Sequence, residues 1–285
     1  MDSSASISVL DQGLFEASGV IQITESWVYN SQMQTDIFGL LVDDRNIAQV
    51  ALEIAHKAHA SDNFVVVTPN VDHFLRWQRD NDFRKLYDQA EFRLIDGAPV
   101  LWLARLLGDK VSERITGVDI SSEVIDLASQ MGMALAIIGG TEEVMEMAKA
   151  NLQRKYPELD IFFTATPKHE QLSSISYQDF LARSLGERDR KIVLFCLGSP
   201  KQEILYSQLN MRHKLTGGYL CVGGTIDFIA NARRRAPKLL QRIGLEWFYR
   251  FAQEPVRLFK RYFCTDILIV RYIWKACLIR IFRRR

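Results

Sequence analysis

Polar and small residues follow five of the apolar runs in this 285-residue chain, at the point where each run ends. They are Thr68 and Asn70, Asp96, residues 139–141, residues 199–203 and residues 223–227. If the runs are parallel strands of one open sheet, their carboxyl ends lie along one edge, and ligands of such sheets bind beyond that edge. The spacing therefore predicts one binding or catalytic site, without specifying a reaction.

Asp96 is a lone carboxylate at the end of one run, within the segment 94–99 (LIDGAP). A carboxylate in this position either caps the helix that follows or accepts a proton in catalysis. Arg114, within the segment 113–119 (ERITGVD), either reaches an anion in the same pocket or is a solvated loop residue. No closely spaced pair of aspartates is flanked by apolar residues, so the sequence does not indicate a Mg²⁺ or Mn²⁺ site.

Two turns between predicted strands and helices have compositions that suit phosphate or sugar groups. The segment 137–141 (IIGGT) either presents the backbone N–H groups of Gly139 and Gly140 to a phosphate or is a tight turn before a helix. The segment 197–203 (LGSPKQE) either caps a helix or uses Gln202, which can donate and accept hydrogen bonds, to bind a nucleotide sugar. Neither segment is a dinucleotide-binding glycine fingerprint, which argues against a nucleotide-dependent dehydrogenase.

The elements that must position these residues are short apolar runs that alternate with longer helical patterns. The runs are 38–42, 64–69, 92–96, 133–140, 160–165, 191–198 and 217–224, and helical patterns lie near 47–58, 71–79, 99–107, 142–155, 177–184 and 201–211. Continuous apolar strands that alternate with helices are typical of a parallel sheet covered on both faces. The sequence therefore predicts an α/β fold with a parallel sheet sandwiched by helices.

The last part of the chain is strongly basic and rich in aromatic residues. Residues 233–285 contain fifteen Lys and Arg against three acids, a net charge of +12. Because the whole chain carries +2, residues 1–232 carry −10. A basic, aromatic segment on an acidic body predicts an anionic partner, which is a phosphate, a nucleic acid or a membrane surface.

Residues 263–282 are largely apolar, but four charged residues interrupt them. At about 2.5–3.5 kcal/mol for each charge near the membrane centre, these charges argue against a membrane-spanning helix. On one continuous helix, the basic residues of 257–275 share an arc of about 100°, and Val270, Ile273 and Trp274 lie outside it. This predicts either a helix that lies on anionic lipid or a solvated helix packed against a neighbouring subunit. We expect a chain deleted from about residue 257 onward to keep a folded core.

Three parts are predicted along the chain. Residues 1–25 read as a flexible extension and lack the basic and then apolar pattern of a secretory signal. Residues 26–232 form the catalytic core, and residues 233–285 form a basic amphipathic appendage.

The four cysteines include no C-x-x-C pair, which favours a reduced cytoplasmic compartment and does not indicate a zinc site.

Nine short segments, taken together, resemble the WecG/TagA/CpsF glycosyltransferases over about residues 38–262. They are TPN (68–70), IDG (95–97), ERITGVD (113–119), IIGG (137–140), LGSPKQE (197–203), VGGTIDF (222–228), RRAP (234–237), GLEWFYR (244–250) and EPVRLFKRY (254–262). The last four, in this order and at this spacing, are the most specific.

The resemblance implies a Rossmann-like α/β core with a C-terminal appendage that reaches the inner face of the cell membrane and completes the active site. The implied reaction is inverting and metal-independent, without a cofactor. It moves a hexose of the N-acetylmannosamine, N-acetylmannosaminuronate or glucose type from a UDP-sugar to a polyprenyl-diphosphate-linked sugar, in cell-envelope or exopolysaccharide synthesis. By position, Asp96 matches the family's proposed base, Thr68 and Asn70 match pocket residues beside it, and Gln202 and Asp227 match nucleotide contacts.

Arginines of the appendage, instead of a metal ion, are expected to neutralise the diphosphate that departs with the nucleotide. The arginines of the appendage that we expect at the substrate are Arg235, Arg250, Arg257 and Arg261. Outside the appendage, Arg114, Gly139 and Gly140 are also expected at the substrate.

The chain departs from the family pattern in two places. The usual FDF-like segment reads IDF at 226–228, and Asn231 stands where a glycine is usual. Asn tolerates a left-handed backbone better than most residues, so we expect the turn to be kept.

A second function class is a nucleic-acid-binding α/β protein that uses the Arg-rich tail on phosphates. The motif segments have no purpose in that case, so we expect no nucleic-acid partner. A homo-oligomer is compatible with the resemblance.

Overall fold

A computed structural model shows the fold and describes residues 34–108, 111–237, 239–240, 244, 246–253, 255–259, 262 and 265–282. The predicted extension, residues 1–25, lies outside the described residues. The three-part division of the chain stays a prediction.

Strands in the described part of the chain form two sheets. They are β1 (Gln34–Ile37), β2 (Leu40–Asp43), β3 (Phe64–Val67), β4 (Phe92–Arg93), β5 (Ala134–Gly139), β6 (Ile161–Ala165), β7 (Lys191–Cys196) and β8 (Gly218–Cys221). The last six form one parallel sheet in the order β4-β3-β8-β7-β5-β6. The predicted α/β fold with a Rossmann-like parallel sheet is confirmed.

Helices cover both faces of this sheet. They are α1 (Ile47–His59), α2 (Val71–Arg79), α3 (Asn81–Asp88), α4 (Ala98–Leu107), α5 (Gly117–Gln130), α6 (Glu142–Lys155), α7 (Ile175–Leu185), α8 (Lys201–Arg212), α9 (Thr225–Ile229), α10 (Glu246–Gln253), α11 (Pro255–Phe259) and α12 (Ile269–Phe282), with 3₁₀-helices at His169–Ser173 and Asp266–Leu268. Along β3, Val65 and Val67 face one core with α2, α4, α7, α8 and α12. Phe64 and Val66 face the other core with α1, α5, α6 and α9. Strands buried on both faces explain the continuous apolar runs.

Side-chain caps begin helices at the carboxyl edge of the sheet. Asn70 Oδ1 accepts a hydrogen bond from the backbone N–H of His73 at the start of α2 (3.3 Å). Thr116 Oγ1 accepts one from the N–H of Asp119 (3.2 Å) and begins α5, a helix that was not predicted. These oxygens satisfy N–H groups that a first helical turn leaves without partners. The caps therefore place polar residues where strands end.

The prediction that residues 38–42 belong to the parallel sheet is wrong. β1 and β2 pair antiparallel in a separate two-stranded sheet. Phe38 and Gly39 form the turn between them, with φ of +51° and +93°, and the Gly39 N–H donates to Asp36 Oδ1 (2.5 Å). Because a positive φ is uncommon for a residue with a bulky side chain, the apolar run gives no sign of this turn.

The last helix, α12, packs against α4 and belongs to the core. Ile269 and Ala276 are buried. The Tyr272 ring contacts the rings of Phe38 and Phe74 edge-on, with centroids 5.5 and 5.0 Å apart. A chain deleted from residue 257 would lose these contacts and expose apolar surface on α4. The expectation that its core stays folded is therefore withdrawn, because the deleted part fills that core.

The opposite side of α12 is apolar and exposed. Val270, Trp274 and Phe282 are 54%, 68% and 70% exposed. Ile273, which like Val270 and Trp274 was predicted to lie outside the basic arc, packs against the core. α11 ends at Phe259 and α12 begins at Ile269; of the described residues between them, Tyr262 and Thr265 are π-helical and Asp266–Leu268 form the 3₁₀-helix. Within the described residues, no helix combines the length and the apolar character that crossing a membrane requires.

Candidate active site

A cavity of about 270 Å³ lies at the carboxyl edge of the parallel sheet. One wall follows β3 and β4 and includes Asn70, Asp96, Gly97 and Arg114. The opposite wall belongs to the C-terminal segment, by which we mean the described residues between 233 and 282. It includes Arg233, Glu246, Trp247, Gln253, Tyr262 and Asp266. A concave site with an apolar lining and a few polar groups suits a small molecule or one end of a larger one.

Asn70 and Asp96 reach the same wall because the segments after β3 and β4 run side by side. The N–H of Leu94 donates to the carbonyl oxygen of Val67 (2.9 Å). The N–H of Asp96 likewise donates to the carbonyl oxygen of Pro69 (2.9 Å). These bonds continue the parallel pairing beyond the strands, so two residues that were predicted together from the sequence are together in the fold.

Thr68 is buried, and its side chain bonds to β8. Its Oγ1 donates to the carbonyl oxygen of Cys221 on β8 (3.4 Å), and its own carbonyl oxygen lies 3.3 Å from His73 Nδ1. The described lining of the cavity includes Asn70 and Asp96 but not Thr68. Thr68 therefore fastens the end of β3 to β8, beneath the site.

Asp96 is oriented by the first residue of α5. The backbone N–H of Gly117 donates to Asp96 Oδ2 (3.5 Å). The Ile115 N–H donates to the carbonyl oxygen of Ile95 (2.9 Å), which holds the preceding loop against the strand end. A Cβ at position 117 would lie 3.2 Å from the carbonyl oxygen of Val222, so glycine permits this close approach.

Arg114 is paired with a residue of the C-terminal segment. Its Nη2 lies 2.9 Å from Oε2 of Glu246, the first residue of α10, and the two side chains are 16% and 5% exposed. Both residues line the cavity. Of the two interpretations left open by the sequence, the structure favours the one in which Arg114 reaches the pocket. Glu246 was missed, although it is the one acid within the basic segment 233–253.

A second ion pair joins the C-terminal segment to α5. Arg235 Nη1 and Nη2 lie 2.6 and 2.7 Å from the two carboxylate oxygens of Asp119, and Nη2 also donates to Thr116 Oγ1 (3.3 Å). Burial alone would raise the pKa of Asp119, but the hydrogen bonds from Arg235 and Thr116 outweigh it and hold that pKa below its ordinary value. The hydrogen bond to Asp119 in turn raises the pKa of Arg235. Arg235, which was predicted at the substrate, here links two parts of the chain.

A third ion pair involves the predicted nucleotide contact Asp227. Its Oδ2 lies 3.6 Å from Arg233 Nη2, and its carbonyl oxygen accepts a hydrogen bond from the Arg233 N–H (3.1 Å). Arg233 lines the cavity, so Asp227 lies directly behind the wall. Between them, Asn231 has φ of +57°, so the left-handed turn expected there is present.

Gln202 is buried, and its amide is used within the protein. Its Oε1 accepts a hydrogen bond from the N–H of Gly223 (3.0 Å), and its Nε2 donates to Glu203 Oε1 (3.2 Å). These bonds fasten the turn after β7 to the turn after β8. Burial raises the pKa of the Glu203 carboxyl.

Gly139 and Gly140 are required by close packing. Their φ values are +126° and +73°. A Cβ at Gly139 would lie 2.4 Å from the carbonyl oxygen of Cys196 on β7, and one at Gly140 would lie 3.2 Å from the Ile226 side chain. Of the two interpretations of this segment, the tight turn accounts for both glycines without a ligand.

Three predicted residues have no described side chain. The side chains of Arg250 and Arg257, and the whole of Arg261, lie outside the described residues. Their contacts with the substrate stay predictions.

A family model described as the glycosyl transferase WecG/TagA/CpsF family matches residues 35–283. The matched range begins within β1 and extends past the end of α12. It therefore contains both walls of the cavity, including Asp96 on one wall and Glu246 on the other.

Proposed function

The chain belongs to the WecG/TagA/CpsF glycosyltransferase family, and from this premise we propose that it moves a hexose from a UDP-sugar to a polyprenyl-diphosphate-linked sugar. The sugar is of the N-acetylmannosamine, N-acetylmannosaminuronate or glucose type, and the product enters cell-envelope or exopolysaccharide synthesis. The observation that carries the proposal is the position of Asp96. Its carboxylate stands at the carboxyl edge of the sheet, on a cavity whose opposite wall has aromatic and polar side chains.

In this proposal Asp96 is the general base. It accepts the proton of the acceptor hydroxyl as that oxygen bonds to the anomeric carbon of the donor sugar. The bond between that carbon and the oxygen of UDP breaks on the opposite side, so the configuration inverts in one displacement. Asn70 orients a sugar on the same wall, and Thr68 supports the strand end beneath it. Gln202 and Asp227 support the nucleotide site from behind its wall: Gln202 fixes the turn after β8, and Asp227 holds Arg233 at the cavity.

Departure of UDP leaves negative charge on a diphosphate, which cationic groups stabilise. Arg114 lines the cavity, and its guanidinium has five N–H donors, so donors remain beyond the contact with Glu246. Arg250, Arg257 and Arg261 supply further positive charge. We propose that the reaction proceeds without a metal ion for this reason.

We further place the enzyme in the cytoplasm, peripherally bound at the inner face of the cell membrane. On α12 the exposed apolar residues Val270 and Trp274 lie beside the exposed Arg271 and Lys275. Apolar side chains can enter the headgroup boundary while Lys and Arg contact anionic lipid. Val270 also lines the cavity, which gives a lipid-linked acceptor a path from this surface to Asp96.

The test is transfer by the full chain to a polyprenyl-diphosphate-linked sugar in vesicles, with UDP-glucose, UDP-N-acetylmannosamine and UDP-N-acetylmannosaminuronate compared. We expect acceptor-dependent release of UDP from one donor, at the same rate with and without EDTA. Asp96→Asn should abolish transfer and leave UDP binding, measured by calorimetry, largely intact. Asp62→Asn, at an exposed position outside the cavity, is the matched control and should be fully active. Normal transfer by a folded Asp96→Asn protein would refute the base, and recovery of activity only with manganese would refute metal independence.

A further inference from the structure

The ion pair between Arg114 and Glu246 differs from the Arg235–Asp119 and Arg233–Asp227 pairs, which also fasten the C-terminal segment to the core. Both of its members line the cavity that contains Asp96. In the Arg235–Asp119 pair neither member does, and in the Arg233–Asp227 pair only Arg233 does. The Arg114–Glu246 pair is also the most enclosed, with side chains 16% and 5% exposed. Its geometry therefore bears directly on whatever occupies the cavity.

The backbone of Arg114 is fixed, but its side chain is not fixed by the core alone. The next residue, Ile115, is tied to Ile95 beside Asp96 by a backbone hydrogen bond of 2.9 Å. From that anchor a flexible arginine side chain can reach in several directions. The contact that sets its direction comes from the opposite wall, where Glu246 Oε2 lies 2.9 Å from Nη2. A guanidinium held on one edge by a carboxylate still presents N–H donors on its other edges.

Glu246 is the first residue of α10, so its carboxylate reaches the cavity only when that helix is docked. At the amino end of a helix a carboxylate is also favoured by the helix dipole. One side chain thus connects the docking of α10 to the orientation of an arginine on the catalytic wall.

We propose that Glu246 is a positioning residue for the glycosyl transfer set out above: it holds the Arg114 guanidinium at the cavity wall, directed at the diphosphate of the donor. The inference rests on that proposed function. Glu246 itself does not contact the reacting atoms. Because its carboxylate comes with α10, diphosphate binding depends on a docked α10, and a core with an undocked C-terminal segment binds the donor weakly.

The test compares Glu246→Gln, Glu246→Asp and the reversed pair Arg114→Glu with Glu246→Arg in the full chain. UDP and inorganic pyrophosphate are the binding probes, measured by calorimetry, and kcat and KM are measured for transfer. We expect Glu246→Gln to weaken the binding of both probes about tenfold and to lower kcat about 100-fold, the size of effect that a misplaced charged group produces. Glu246→Asp keeps the charge one methylene further away and should lose less than Glu246→Gln on both measures.

The reversed pair separates positioning from simple attachment. It restores opposite charges across the same contact, so a purely structural attachment predicts recovery of the melting temperature and of transfer together. Positioning predicts recovery of the melting temperature without recovery of pyrophosphate binding, because the guanidinium then extends from the wrong wall. Should the reversed pair not fold, Glu246→Gln decides the question, since wild-type affinity and kcat in that variant would overturn the proposal. Asp160→Asn is the matched control, because it removes a carboxylate from the Arg188–Asp160 pair, which lies outside the cavity lining and outside the C-terminal segment, and should leave pyrophosphate affinity within about twofold.

The two proposals fail in distinguishable ways. An active wild-type enzyme whose Glu246 variants bind UDP and pyrophosphate normally overturns the positioning role alone. A wild-type protein that binds pyrophosphate in a Glu246-dependent manner but transfers no sugar overturns the proposed function and leaves the positioning of Arg114 standing.

Discussion

The ion pair between Asp119 and Arg235 gives the most quantitative prediction. Asp119→Asn keeps the shape of the side chain and removes its charge. In the folded protein this carboxylate accepts from both terminal nitrogens of Arg235, at 2.6 and 2.7 Å, and from Thr116 Oγ1 at 2.6 Å. The substitution therefore weakens a bidentate contact that fastens the C-terminal segment to α5.

The size of the effect follows from the exposure of the pair. The Arg235 and Asp119 side chains are 29% and 31% exposed. Exposed pairs contribute about 0.2–1 kcal/mol, whereas breaking a fully buried pair costs about 3–5 kcal/mol. A bidentate pair between these limits should contribute about 2 kcal/mol to the free energy of unfolding. For a chain of this size, that lowers the melting temperature by about 4–8 °C.

The pH dependence is a second, independent measurement on the same variant. Because the pKa of Asp119 in the folded protein lies below its ordinary value of 3.8, the stabilisation is fully present above that value and is lost as the pH falls through the lower, folded-state pKa. Urea unfolding should therefore give a constant difference between wild type and Asp119→Asn above about pH 5, and a shrinking one below about pH 4. Glu123→Gln removes a carboxylate from the exposed face of the same helix and should change the unfolding free energy by less than about 0.5 kcal/mol. Equal effects of the two substitutions, or a difference that grows towards low pH, would refute this account of the pair.

Two further predictions concern packing and the membrane. Gly139→Ala should lower the free energy of unfolding, measured by urea titration, by about 3 kcal/mol or more. The reason is that φ is +126° and the added methyl would meet the Cys196 carbonyl oxygen at 2.4 Å. Gly132→Ala, at φ +63° with open space around it, is the control and should cost only about 1 kcal/mol. Trp274→Ser should weaken the affinity for anionic phospholipid vesicles, measured by sedimentation, about 30-fold, since about 2 kcal/mol of apolar burial is removed. Met211→Ser, at a 73% exposed apolar position on α8, should leave vesicle binding unchanged, and equal losses in both variants would count against α12 as the contact surface.

The parallel sheet could be predicted because its strands are apolar without interruption. β5 and β7 are buried along their whole length, and a hydropathy pattern records burial directly. The hairpin of β1 and β2 could not be predicted in this way, since the turn depends on the backbone angle of Phe38 and leaves no mark on hydropathy. α5 was missed although Ile120, Val124 and Ala128 recur at helical spacing and are buried. The spacing of Thr116 and Asp119 was the available signal for its start.

The two walls of the cavity differed in how far they could be predicted. Asn70 and Asp96 follow neighbouring strands, and the geometry of a parallel sheet brings such residues together whatever the rest of the chain does. The partners of Arg114 and Arg235 depend instead on how the C-terminal segment docks. Arg235 and Asp119 are 116 positions apart, and a sequence of charges does not show which of them face each other.

Part of the positive charge of the C-terminal segment is paired within the chain itself. The charge imbalance predicts an anionic partner for the basic residues, and the acidic body supplies part of it, since Arg233 and Arg235 pair with Asp227 and Asp119. Attraction between a segment of +12 and a body of −10 favours docking, which brings the second wall of the cavity into place. Substitutions of basic residues in this segment therefore act by two routes that stability measurements separate. Lost activity with lost stability, as expected for Arg235, reports docking, whereas lost activity at unchanged stability within residues 250–261 would report charge supplied to the substrate.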